Sequence, residues 1–378
     1  MRLAISLRGL FVGLVLSGTS LCSPVWANPV ILFDLKTGTV LEHQDAFQRW
    51  YPASLTKLMT AYVTFRAIAA GELALSSPIK VTKHSAGEPP SKMGFKPGSV
   101  MTLDNALKMM LIKSANDIAM AVGENVGGSQ EAFAQRMNAE AQRLGMTGSH
   151  FVNPNGLYSP DHYTTAHDLA LLVSAIRNEF PQYASYFAIQ GLKAGKRTLM
   201  SYNKLVGRYS GADGMKTGFV CPSGFNMIGS ATRDGRTLVA VVLGAKSAIG
   251  RTDIVASLLD RGFQAAGTHG VTLTSLSPYG VSNAAPVDMS DEVCHRKPAA
   301  AQSEEAADHE GKKRKSPWLE RIPNPKLVTV ALGGATGPVP LAWHDQDAQE
   351  YADVPIPTPR PDYSPVAKAT AQGDTVAN

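Results

Sequence analysis

The chain has 378 residues, 44% of them apolar and 18% charged, with a formal net charge of +5. That length accommodates a sizeable core with appendages, and the apolar share is ordinary for a globular protein. The positive charge is scattered apart from Lys312-Lys313-Arg314-Lys315, so nothing in it demands a nucleic-acid partner.

Residues 1–27 read as a secretory signal peptide. Arg2 and Arg8 give a positive start, Leu10 to Leu16 an apolar run short for a membrane span, and Val25-Trp26-Ala27 a cleavage site. Cys22 follows Leu21, a residue too large for a usual lipoprotein signal. The expected location is therefore extracytoplasmic (periplasmic). Cleavage leaves two cysteines, Cys221 and Cys294, with no metal-type spacing. In an oxidising compartment they are a candidate disulfide; the other reading is two unpaired thiols.

Val30 to Leu41 reads as a hairpin turning over Asp34 to Gly38. Tyr51-Pro52-Ala53 leads into a helical pattern that ends at Gly71, with Leu55, Leu58, Met59, Tyr62 and Val63 at helical spacing. Residues 75–101 carry Pro78, Pro89, Pro90 and Pro97 and read as loop. Helices are predicted over 102–112, 117–126, 129–144 and 165–180, with a polar interruption at Lys113 to Asn116. The period then changes. Strands are predicted over 215–220, 225–232 and 237–243, the last two around Asp234-Gly235, and a helix over 250–263. This order gives an α+β fold, an antiparallel sheet flanked by helices with an all-helical subdomain at about 75–180. Residues 28–268 form the expected catalytic domain. Residues 269–378 read as a low-order extension, charged over 299–315, with one strand near 326–332 and a Pro-rich stretch over 354–365.

Three short motifs carry chemistry: Ser54-Leu-Thr-Lys57, Ser114-Ala-Asn116 and Lys216-Thr217-Gly218. Each has echoes, at Ser77 to Lys80, Ser201 to Lys204 and Lys36 to Gly38, so none is specific alone. Context separates them. Ser54 opens a predicted helix, which puts Lys57 one turn away on the same face. A serine hydroxyl needs a base, and a lysine serves when burial or a neighbouring cation lowers its pKa. Ser114 is placed to relay a proton, and Asn116 to meet a substrate amide with donor and acceptor. A plain helix–helix turn explains Ser114-Ala-Asn116 as well. Lys216 and Thr217 suit a substrate carboxylate, and Gly218 allows close backbone approach at a strand edge.

In this order the motifs resemble the serine penicillin-recognising enzymes, and most closely the low-molecular-mass D-alanyl-D-alanine carboxypeptidases. The likeness spans about residues 28–266. It rests also on Pro52-Ala-Ser-Leu-Thr-Lys-Leu-Met-Thr60, Lys113-Ser-Ala-Asn-Asp117, Asn153-Pro-Asn-Gly-Leu157, Thr164-Thr-Ala-His-Asp-Leu-Ala170 and Asp213-Gly-Met-Lys-Thr-Gly218. The resemblance implies a transpeptidase-like fold with Ser54 as nucleophile, Lys57 as base and Ser114 in the proton path. Asn116, Lys216, Thr217, Gly218 and Phe219 would hold the substrate, with an oxyanion hole of the Ser54 and Phe219 backbone N–H groups. Arg251 falls where such enzymes carry a carboxylate-binding arginine, although a solvated helix-start arginine fits the position equally. The substrate implied is a peptidoglycan stem peptide, with β-lactams as inhibitors and no cofactor or metal. Phe219 departs from the His or Thr of many relatives. The extension shows neither their β-rich second domain nor a clear membrane anchor. Two other readings are a serine β-lactamase, for which no Glu-x-x-Leu-Asn segment is found, and a penicillin or peptide sensor without turnover. An endopeptidase side activity is compatible with the same site.

Overall fold

The computed structural model describes residues 28–265, 270–280, 284–295, 304, 316–340 and 343. The signal segment, the basic run at 312–315 and the Pro-rich stretch at 354–365 lie outside the described residues. In chain order the elements are β1 (Val30–Asp34), β2 (Val40–Gln44), α1 (Thr56–Ala69), β3 (Pro78–Lys80), α2 (Lys83–Gly87), β4 (Val100–Thr102), α3 (Leu103–Ile112), α4 (Asn116–Gly127), α5 (Gln130–Arg143) and α6 (Ala166–Glu179). There follow α7 (Ala184–Phe187), β5 (Gly191–Ala194), β6 (Arg197–Met200), β7 (Ala212–Val220), β8 (Gly224–Arg233), β9 (Arg236–Ala245), α8 (Ala248–Gln264), α9 (Ser290–Cys294) and β10 (Leu327–Val330).

The main sheet runs β2-β1-β9-β8-β7 and is antiparallel throughout, so strands from both ends of the catalytic segment meet in it. Alternation along its strands makes two cores. Val30, Leu32, Leu238, Ala240 and Val242 face α8 with Val255, Leu258 and Leu259. Ile31, Phe33, Val239, Val241 and Leu243 face the larger core that contains the helical block. At the β8–β9 turn Asp234 and Gly235 both have positive φ, 49° and 76°, as a two-residue hairpin needs. Lys36-Thr37-Gly38 forms the first hairpin turn, where the Asp34 carboxylate accepts from the Lys36 and Thr37 backbone N–H groups.

Helices α3, α5, α6 and α8 begin on side-chain caps, whereas α1 and α4 do not. Thr102, Ser129, Thr165 and Ser247 accept from the backbone N–H of Asn105, Ala132, Asp168 and Gly250, which satisfies donors that the first turn leaves orphaned. Helix α1 is buried on nearly all sides. The stretch 75–101, expected as loop, contains β3, β4 and α2, elements too short and proline-flanked to leave a periodic signal.

The described parts of the extension are docked on the domain. Leu273, Met289, Val293, Cys294 and Val330 are buried, Thr272 bridges to Thr39, and β10 adds in parallel to β5. The strand read near 326–332 is β10. Cys221 and Cys294 form a disulfide with their Cα atoms 5.7 Å apart. Among the described residues no helix is long and apolar enough to cross a membrane.

Candidate active site

The site lies where the start of α1, the break between α3 and α4, and the edge strand β7 converge. Ser54 sits in a single 3-10 turn, Ala53–Leu55, that feeds α1. Ala53 is left-handed at φ 49°, a strained setting for a residue with a Cβ. Asn226 on β8 holds this turn, since its amide donates to the carbonyls of Tyr51 and Pro52. Gly156, itself at φ 82°, packs so closely that a Cβ there would fall 1.9 Å from the Ala53 carbonyl oxygen.

Lys57 is fully buried one turn beyond Ser54. Its Nζ donates to Ser54 Oγ at 2.9 Å, Asn116 Oδ1 at 2.8 Å and the Asn155 carbonyl at 2.6 Å. Burial first, and then the charge of Lys216, push its ammonium well below the usual lysine range. Two of the three acceptors are fixed amide oxygens, so a lone pair exposed on deprotonation faces Ser54.

Ser114 is the hinge of the α3–α4 break, left-handed at φ 60°. Lys216 Nζ donates to Ser114 Oγ at 2.9 Å and to the Thr217 carbonyl at 2.7 Å. Burial lowers Lys216 to about 8, with Glu304 opposing the fall and Arg251 adding to it. Ser114 thus accepts from one lysine and keeps its own proton for another acceptor.

Asn116 is less available than its sequence position suggests. Oδ1 takes the Lys57 bond and Nδ2 donates to the Pro89 carbonyl at 3.0 Å, so its acceptor serves the lysine. Gly218 lies against the Ser54 turn, where an added Cβ would meet Ser54 N at 2.9 Å and Pro52 O at 3.0 Å. Phe219 is buried and stacks on Phe225 at 4.2 Å between ring centroids. Its side chain packs the strand, and its backbone is what remains for chemistry.

Arg251 is not a solvated helix-start residue. It is 2% exposed, and its Nη1 donates to the Gly218 carbonyl at 2.9 Å and the Asn226 carbonyl at 3.2 Å. Its Nη2 donates to Glu304 Oε1 at 3.1 Å.

Four further residues belong to this arrangement. Asn155 supplies a backbone acceptor, and Asn226 holds the Ser54 turn. His162 bonds Thr56 Oγ1 at 2.9 Å through Nε2. The Val152 backbone N–H donates to its Nδ1, which leaves Nε2 as the donor to Thr56. Burial takes His162 down to about 3, so the ring is neutral at physiological pH. Glu304 is the fourth. The Asn153-Pro-Asn-Gly-Leu157 motif flagged the Asn155 region, whereas Asn226 and Glu304 carry no local signal. Among the described residues, no group of three His, Cys, Asp or Glu side chains could hold a metal ion.

The family model for the peptidase S11 group, D-alanyl-D-alanine carboxypeptidase, matches residues 19–247, more than half of the chain. The chain belongs to this family. It is 35% identical over 245 residues to D-alanyl-D-alanine carboxypeptidase DacC of Escherichia coli, covering 63% of this chain and 61% of that protein. To DacF of Bacillus subtilis it is 32% identical over 251 residues, covering 64% of each. The chain thus spans less than two thirds of the length of these curated relatives. Penicillin-binding protein D2 of Listeria monocytogenes, solved with ampicillin bound, superposes with a TM-score of 0.58 at 30% identity. That match covers 63% of this chain and 97% of the other. The S11 match ends just before Arg251, so the arginine rests on its own geometry.

Proposed function

We propose that this S11 protein is an exported serine D-alanyl-D-alanine carboxypeptidase that removes the terminal D-alanine of peptidoglycan stem peptides and is acylated by β-lactams. The observation that carries the reading is the contact between a buried, depressed-pKa Lys57 and Ser54 Oγ at 2.9 Å. Neutral Lys57 takes the Ser54 proton as Oγ attacks the carbonyl of the penultimate D-alanine. The backbone N–H groups of Ser54 and Phe219 are the candidate oxyanion donors. Ser114, bonded to Lys216, passes a proton toward the leaving amine. The terminal carboxylate enters the positive corner of Lys216, Thr217 and Arg251. Water then hydrolyses the acyl-enzyme. The ampicillin complex of the Listeria relative supports the β-lactam part, and the S11 relatives' names support the substrate. The signal-peptide reading and the 221–294 disulfide support export.

Mass spectrometry of a D-Ala-D-Ala pentapeptide incubated with the mature protein tests the reading. Release of one D-alanine is expected, with β-lactam turnover far slower. Fast β-lactam hydrolysis without peptide cleavage would make it a β-lactamase, and acylation without any turnover a sensor. Ser54→Ala is expected to abolish both D-alanine release and penicillin labelling; a β-lactam adduct on another serine refutes the nucleophile.

A further inference from the structure

Glu304 belongs to the extension, yet its carboxylate lies inside the site described above. It is 6% exposed, its Oε1 is 3.1 Å from Arg251 Nη2, and Thr217 is within hydrogen-bonding reach. Burial works against its charge, but Arg251, Lys216, Thr217 and Lys57 outweigh it and hold the carboxyl below the usual glutamate range. A buried carboxylate is sustained only by such compensation. These are the groups to which the proposed function assigns the substrate's terminal carboxylate. Two carboxylates in one positive corner repel each other strongly, so one excludes the other.

The chain reaches this position from a fixed point. Cys294 is bonded to Cys221, the residue that follows the end of β7, the strand carrying Lys216 and Thr217. Glu304 lies ten positions after Cys294, a tether of at most about 35 Å when extended. A short tether presents its end at an effective concentration on the order of millimolar, so even a weak carboxylate ligand fills its site. A glutamate side chain has no D-alanyl bond to cleave, and it can only occupy the corner.

Resting on the proposed function, we infer that the extension carries an internal competitor. The Glu304 carboxylate fills the subsite for the terminal carboxylate and must leave before a D-alanyl peptide or a β-lactam carboxylate enters. The resting enzyme is autoinhibited, and its apparent affinity for carboxylate ligands is reduced by the fraction of molecules in which the corner is open.

The test uses the full mature chain as wild type, as Glu304→Gln, and as Glu304→Gln with Glu305→Gln, because Glu305 is the next residue in sequence. The second-order rate of Ser54 labelling by a fluorescent penicillin is measured, beside competition by N-acetyl-D-alanine. If the corner is open in about a tenth of wild-type molecules, the variants label about ten-fold faster and N-acetyl-D-alanine competes at about ten-fold lower concentration. Labelling on Ser54 at an unchanged or lower rate overturns the competitor and leaves the proposed function standing. Absence of Ser54 labelling in wild type and variants alike overturns that function, and the competitor with it. A fall in melting temperature does not mimic the result, since a merely structural Glu304 predicts slower labelling.

Discussion

At the scale of single residues the site is built on two buried lysines that need opposite charge states. In the proposed mechanism Lys57 must be neutral to accept the Ser54 proton, whereas Lys216 acts as a cation. Burial lowers both, with the charge of Lys216 adding to the fall at Lys57 and that of Arg251 to the fall at Lys216. The acylation rate should therefore rise with pH as Lys57 loses its proton, then fall above about pH 8 as Lys216 loses its charge. Lys216→Arg keeps the cation at every accessible pH. That variant should lose the falling limb in a pH profile of penicillin acylation, whatever its peak rate; an unchanged falling limb would assign it to another group. Lys57→Arg keeps charge but removes the base, so acylation should drop by about 10²–10⁴-fold while the circular dichroism spectrum is retained. Helical spacing put Ser54 and Lys57 on one face, whereas Ser114 and Lys216, 102 residues apart, were reached only through the resemblance carried by the motif set. Glu304 and Asn226 were not legible, because each acts across more than fifty residues from its partners and leaves no periodic trace.

At the scale of elements, three segments meet at backbone distance rather than side-chain distance. The α1 entry turn is held by Asn226 on one side and backed by Gly156 and Gly218. At Gly218 the restriction is space, since the contacts a Cβ would make are all with backbone atoms of the nucleophile turn. Gly218→Ala should push the β7 edge away from Ser54. A displacement on the order of 1 Å at a reacting centre costs roughly 100-fold in rate. Acylation is thus expected to fall by about that factor. A large stability loss with normal acylation would contradict this account. Helix starts were legible for the same local reason, as the caps Thr102, Ser129 and Thr165 contact residues three positions on. Strands β3 to β6 were hidden because each spans only three or four residues, too few to show a period; β3 pairs with β4 across a long loop, and β5 also takes the distant β10.

At the scale of the molecule, the extension is joined to the domain at separate points: the Thr39–Thr272 bridge, the 221–294 disulfide and the β5–β10 pairing. Its composition gave no sign of this docking, because a handful of buried apolar residues dispersed among polar ones looks like linker. The two cysteines were the legible part. Only one intramolecular pair exists once the signal segment is removed. The bond closes 73 residues of chain, and joining ends that far apart removes considerable freedom from the unfolded chain. A bridge of this kind typically stabilises by about 2–4 kcal/mol. The variant with Cys221→Ser and Cys294→Ser should therefore lose about that much unfolding free energy in denaturant titrations followed by tryptophan fluorescence, while keeping its far-ultraviolet spectrum. The double change avoids leaving a lone thiol that would confuse the comparison. In the wild-type protein, peptide mapping without reduction should recover the two cysteine peptides as one linked species. Recovery of both as alkylatable thiols would remove the bond. It would also lengthen the chain available to Glu304, which lowers its effective concentration at the positive corner.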